Sequence, residues 1–274
     1  MNRSMRFLGA LALPLLLTGC EATDPQPETA QVGLLVDGLV GTAAYAPGTT
    51  YTVNGRATTF TDARIYVSNV RLVRADGSVY TINAETPLTI TANDAAGNPV
   101  SHTVTETVAY LPLDLGRYEG TLGEVPAGTY TGIRFDVGLS GNTNRVDLTQ
   151  APAGHPLAQR TDYNNHWSWN SGYIFSRTEG RVDTDGDGTL DADWGAHIGM
   201  APYVVPVEVT DSFTLTAGTQ PNLHLQVDLA HLLENVDLSD PAQRLTHTMD
   251  NAAMAGAVRD AMPDAFHFHG LHTD

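Results

Sequence analysis

From Val32 to Leu229 the chain alternates short apolar runs with turn residues, a pattern of β-strands rather than helices. It predicts strands at 32–40, 49–53, 63–73, 78–82, 87–91, 104–113, 128–138, 172–182, 203–209, 213–217 and 222–229. Period two is sharpest where Ile133, Phe135, Val137 and Leu139 interleave with Arg134 and Asp136. It recurs where Leu223, Leu225, Val227 and Leu229 interleave with His224, Gln226 and Asp228. Such strands bury one face and wet the other, so the expected fold is all-β, a single β-sandwich domain of antiparallel strands. Helical spacing enters only late, at 230–234 and at about 247–261, where Met249, Ala253, Met254, Ala257, Val258 and Ala261 share a face before Pro263. That predicts a short C-terminal helical segment packed on the sandwich. No linker divides 32–274. Residues 140–171 lack periodicity, and the tryptophans at the end of so long a connection favour a functional loop.

Charge and cysteine use narrow the function. The net charge of −17 repels phosphate backbones, which argues against nucleic-acid binding. Residues 1–19 read as a lipoprotein signal, with Arg3 and Arg6 before an apolar stretch too short to span a bilayer. Leu17-Thr18-Gly19-Cys20 reads as a lipobox, with Cys20 as the lipidation site and 20–31 as a flexible tether. Cys20 is the only cysteine, so any metal centre in the domain must use nitrogen, oxygen or thioether donors.

The candidate chemistry is concentrated between Trp167 and His197, which hold all three tryptophans and the densest acidic cluster. Asp183, Asp185, Asp187, Gly188 and Asp191 follow the first half of a calcium-loop pattern, with Asp193 available to complete a shell. Position 12 of the pattern is Trp194 rather than Glu, so this is not a full EF-hand. The loop is read either as a structural Ca²⁺ site or as a solvated hairpin tip. His267 and His269 fall on one side of an extended segment, which suits Cu²⁺, Ni²⁺ or Zn²⁺, with His272 close by. The alternative there is a frayed tail. Trp167 and Trp169 share a face, opposite His166 and Ser168, as residues of a core or of a sugar-stacking platform.

Several blocks carry a family resemblance. Asp62–Val73, Ile133–Gly138, Pro156-Leu157, Trp167-Ser-Trp-Asn-Ser-Gly-Tyr-Ile-Phe175, Glu179-Gly180 and His197-Ile-Gly199 resemble, in order, the blocks of the MbnP-like family across about 32–235. The resemblance implies an extracytoplasmic copper-binding β-sandwich protein. It also implies a partner, the dihaem cytochrome c peroxidase-like MbnH, that oxidises a tryptophan to kynurenine. An indole nitrogen is a poor metal ligand, whereas kynurenine offers an aniline nitrogen that can join imidazoles around copper. Trp167, Trp169 and His197 match family positions; His166, His267 and His269 are added as copper ligands from spacing. The better-known branch carries cysteines that this chain lacks after Cys20, and the acidic loop after Glu179 is extra.

These features predict a lipid-anchored extracytoplasmic protein that sequesters or delivers copper and is not itself an enzyme. Calcium is expected in a structural role. The alternative is a calcium-stabilised adhesion or carbohydrate-binding lipoprotein. A hydrolase is disfavoured, because no nucleophile elbow or zincin motif is present.

Overall fold

The computed structural model describes residues 28–160, 165–168 and 171–273. Its strands are β1 (Thr29–Val40), β2 (Ala43–Ala44), β3 (Thr50–Val53), β4 (Arg56–Arg74), β5 (Val79–Thr81) and β6 (Asn83–Asn93). Then follow β7 (Pro99–Glu106), β8 (Val108–Pro112), β9 (Tyr118–Pro126), β10 (Gly128–Val137), β11 (His166–Ser168) and β12 (Gly172–Val182). The chain ends with β13 (Ala192–Gly199), β14 (Val205–Val209), β15 (Phe213–Leu215), β16 (Asn222–Asp228), β17 (Leu245–Thr246), the helix α1 (Ala252–Ala265) and β18 (Phe266–His272). Among the described residues no helix is long and apolar enough to cross a membrane.

Two sheets make a β-sandwich. The smaller runs β18-β16-β1-β2, with β9 also on β1; the larger runs β14-β10-β4-β12-β13-β17, with shorter strands on β4, β10 and β12. Alternation decides what lies between them. Leu34, Val36, Leu223, Leu225 and Val227 of one sheet meet Phe60, Ile65, Phe135, Trp194 and Ile198 of the other. Met254, Val258 and Met262 bring α1 onto the same core. The outer face of the larger sheet is partly covered as well. Tyr66, Tyr110, Tyr173 and Phe175 pack there under Ile90 and Val104 of the β6–β7 hairpin and under Leu139, Val146 and Leu157. The aperiodic 140–160 region therefore contributes Val146 and Leu157 to a second core.

The β-sandwich expectation holds, with three differences of detail. The strands are not all antiparallel: β1 pairs with β16, and β13 with β17, in parallel. The helix starts at Ala252 rather than near 247, because the Asn251 side chain caps the Met254 N–H. It also runs past Pro263, which sits in the last turn and removes only one late donor. Finally, β9 was not anticipated, its Gly120 and Gly123 diluting the apolar signal, and the expected strand 104–113 divides into β7 and β8 around the buried Thr107.

Phe135 is fully buried, with its ring 5.1 Å from that of Phe266, and so joins β10 of the larger sheet to β18 of the smaller. Phe135→Ala is expected to lower stability by about 3–5 kcal/mol, read from the denaturant midpoint at unchanged slope.

Candidate metal centre

β13 alternates strictly. Trp194, Ala196 and Ile198 point into the core, which leaves Asp193, Gly195, His197 and Gly199 on the outer face. The antiparallel register sets His197 opposite Arg177 of β12. Glu179, two residues on, reaches the His197 Nε2 at 2.6 Å. Arg177 holds Glu179 at 3.0 Å and Asp62 at 3.1 Å, and Arg64 bridges Asp62 and Asp114 at 2.9 and 2.7 Å. The His197 hydrogen bond, with Arg177 adding to it against the cost of burial, holds the Glu179 carboxyl down at about 2. Asp62 moves the other way, because its burial outweighs Arg64 and Arg177.

A second imidazole stands beside the first. The His247 ring lies 4.9 Å from that of His197, nearly perpendicular to it, and its Nδ1 is 2.8 Å from Asp250. This neighbour carried no spacing signal in the sequence. It is placed by the parallel pairing of Thr246 with Ala196 and by Thr248, whose hydroxyl donates to the His197 carbonyl at 2.9 Å and accepts from the Gly199 N–H at 3.0 Å. Thr248 has φ +68°, a costly conformation for a β-branched residue, imposed by these two bonds.

Trp167 completes the face. A Cβ on Gly199 would lie 2.7 Å from the Trp167 ring and 2.6 Å from the Tyr173 carbonyl, so the indole lies directly over the bare backbone of Gly199. Gly199 and His197 share a side of the strand about 6–7 Å apart, so Trp167 lies on the same face as His197, whose Nε2 leans the other way, towards Gly195. Gly180, another glycine of the family-like blocks, is required by close approach too. A Cβ there would run into the Thr59 carbonyl.

The other candidates fall elsewhere. His166 points away from Trp167, as the period predicts, with its ring 4.9 Å from Tyr173 in a cleft lined by Tyr66, Arg160 and Asn165. Burial holds its pKa at about 4, so it is a neutral imidazole at physiological pH. His267 and His269 lie on β18, in the other sheet, and are exposed on its outer side. The structure does not bring them to His197. Trp194 is a core residue, its ring 5.1 Å from Phe60. Trp169 and Cys20 lie outside the described residues.

The acidic stretch forms the hairpin between β12 and β13. Donor oxygens of Asp183, Asp185 and Asp187 lie within 4.8 Å of one another, the only such group of three or more among the described residues. Asp183 also accepts the N–H groups of Gly186 and Gly188, at 2.7 and 2.9 Å. Asp191 instead binds the Thr184 N–H and hydroxyl, and Asp193 pairs with Arg181 at 3.2 Å on an exposed edge. The three-carboxylate half of the calcium pattern is therefore assembled, and Asp191 and Asp193 are engaged elsewhere.

Because the Glu179 pKa is depressed by folding, its contribution to stability is present above the unfolded value near 4.5 and is lost as pH falls through about 2. Glu179→Gln is expected to flatten the acid side of the stability profile between these values, measured by urea unfolding at a series of pH values.

No curated protein matches the chain. A solved structure, MbnP from Methylosinus trichosporium, superposes with a TM-score of 0.51 at 19% identity, covering 87% of this chain and 98% of that one. At this identity the likeness speaks for the fold. The model of the MbnP family matches residues 29–250, which take in the larger sheet, the smaller sheet except β18, and the outer face around His197. The chain belongs to the MbnP family.

Proposed function

We propose that the protein is a lipid-anchored extracytoplasmic copper-binding protein that sequesters or delivers the metal through the outer face of β13. The observation that carries this reading is the pairing of His197 with His247 on the outer face of β13, the strand whose Gly199 lies under the Trp167 ring. Two imidazoles at this separation suit copper, and each is oriented by a carboxylate, Glu179 for His197 and Asp250 for His247. Oxidation of Trp167 or Trp169 to kynurenine at a dihaem MbnH-type partner, with a peroxide as the oxidant and the indole C2 released as formate, would add an aniline nitrogen. In this role the protein is the substrate of its partner and not an enzyme.

Cys20 provides the lipid anchor, outside any copper chemistry. The acidic hairpin is a structural Ca²⁺ site, supported by the convergence of Asp183, Asp185 and Asp187. Trp167 gives the carbohydrate-binding alternative less support, because its ring is seated on Gly199 rather than presented as an open stacking face.

Protein purified from its natural host should contain stoichiometric copper, and metal analysis finding none would sink the proposal. His197→Ala and His247→Ala should each weaken copper binding by roughly 10-fold or more, whereas His267→Ala should leave it unchanged. Peptide mass spectrometry across 160–180 reads the tryptophan chemistry separately. For the hairpin, added Ca²⁺ should raise the unfolding temperature of the wild type and not of Asp185→Ala. An unmoved wild-type midpoint would remove calcium from the account.

A further inference from the structure

The outer face of the smaller sheet carries its own histidine cluster, built across four neighbouring strands. His224 on β16 places Nε2 2.8 Å from Asp37 on β1. Arg117, just before β9, grips the same carboxylate with two bonds, Nε at 2.7 Å and a terminal nitrogen at 2.8 Å. On the other side of His224, β18 brings the His269 ring to 4.7 Å and the His272 ring to 6.2 Å, both steeply inclined to it. We infer that His224, His269 and His272, with Asp37 and Arg117 behind them, form a second metal site, for a divalent ion of borderline softness such as Zn²⁺ or Cu²⁺.

Three features carry the inference. The first is the order Arg117, Asp37, His224. A carboxylate fixed by a bidentate arginine accepts the Nε2–H of the imidazole, which commits the other ring nitrogen, Nδ1, to be the lone-pair donor. Carboxylates oriented behind histidines in this way are the usual support of metal ligands.

The second is a β-bulge. His224 pairs with Gly270 and Leu225 with Phe268, which leaves His269 as the extra residue between them. Without the bulge the register would turn His272 to the core face; the extra residue instead sets Leu271 opposite Leu223 and His272 opposite Asn222, so that His269 and His272 share the outer face beside His224. The third is the character of the strand. Phe266 and Phe268 of β18 pack into the core while His269 and His272 are exposed, so the segment is a docked edge strand and not a frayed tail. Metal–nitrogen bonds of about 2.0–2.1 Å need ring nitrogens closer together than the present ring spacing, and rotation of two exposed side chains provides it. β18, with His269 and His272, lies beyond the residues 29–250 matched by the family model, whereas Asp37, Arg117 and His224 lie within them.

The inference stands apart from the copper reading and is tested without it. Full-length protein carrying His197→Ala, in excess Ca²⁺, is titrated with Zn²⁺ by calorimetry. One Zn²⁺ per chain is expected. His269→Asn should weaken it by at least ~10-fold, and Asp37→Asn by roughly 10–100-fold through loss of orientation. His267→Asn, opposite Gln226 and outside the cluster, should bind as the parent does. The metal-free unfolding midpoint of His269→Asn should match that of the parent, which separates ligation from a structural role. No binding by the parent, or undiminished binding by His269→Asn, would overturn the inference.

Discussion

The candidate centre depends on the pleat of β13 and on the register that holds it to β12. Because Trp194, Ala196 and Ile198 are the core face, His197 and Gly199 must stand outside, and the pairing of Arg177 with His197 then fixes which charges meet the imidazole. A slip of one residue would exchange the two faces, burying a histidine beside a carboxylate and exposing a tryptophan. The penalty is several kcal/mol from the lost indole burial alone, before the cost of an enclosed charge. The large core residues of the strand therefore orient the polar ones.

The same rule keeps the histidines in two groups. In a sandwich the outer faces of the two sheets look in opposite directions, so residues on β13 and on β18 cannot join one coordination sphere while both strands keep their core faces. His197 with His247, and His224 with His269 and His272, are each assembled by pairing between adjacent strands. Each group has a carboxylate behind an imidazole, Glu179 in one and Asp37 in the other. The arginines differ: Arg117 holds both oxygens of Asp37, whereas Arg177 is divided between Glu179 and Asp62.

The sandwich was legible because alternation in segments such as 133–139 and 223–229 is a direct image of burial. Strand 172–182 matches β12 at both ends. The direction of pairing was not legible. Period two reports faces, and β1 beside β16 has the same pattern whether parallel or antiparallel. His197 and Trp167 could be found because the family-like blocks include them. His247 could not, since it reaches His197 only through the two-residue strand β17 and the strained turn at Thr248. The pairing of His267 with His269 followed from ideal alternation. The register sets His267 opposite Gln226, and the bulge beside Leu225 turns His272 to the face of His269 and His224; a one-residue irregularity of that kind leaves no periodic trace.

The acidic hairpin connects these points. Its carboxylates are engaged with backbone N–H groups before any cation is considered: Asp183 takes those of Gly186 and Gly188, Asp185 that of Asp187, and Asp187 that of Thr189. Such bonds fix the turn, and Gly186 and Gly188 supply the left-handed conformations, φ +86° and +90°, that the turn requires. In a two-stranded connection the turn fixes the register, and here the register is what sets His197 across from Arg177. The hairpin that lies between Glu179 and His197, eighteen positions apart in sequence, is thus the element that brings them within hydrogen-bonding distance in space. A cation held by Asp183, Asp185 and Asp187 would relieve the repulsion that opposes this turn, so its effect on the distant imidazole would pass through backbone pairing rather than through any direct contact.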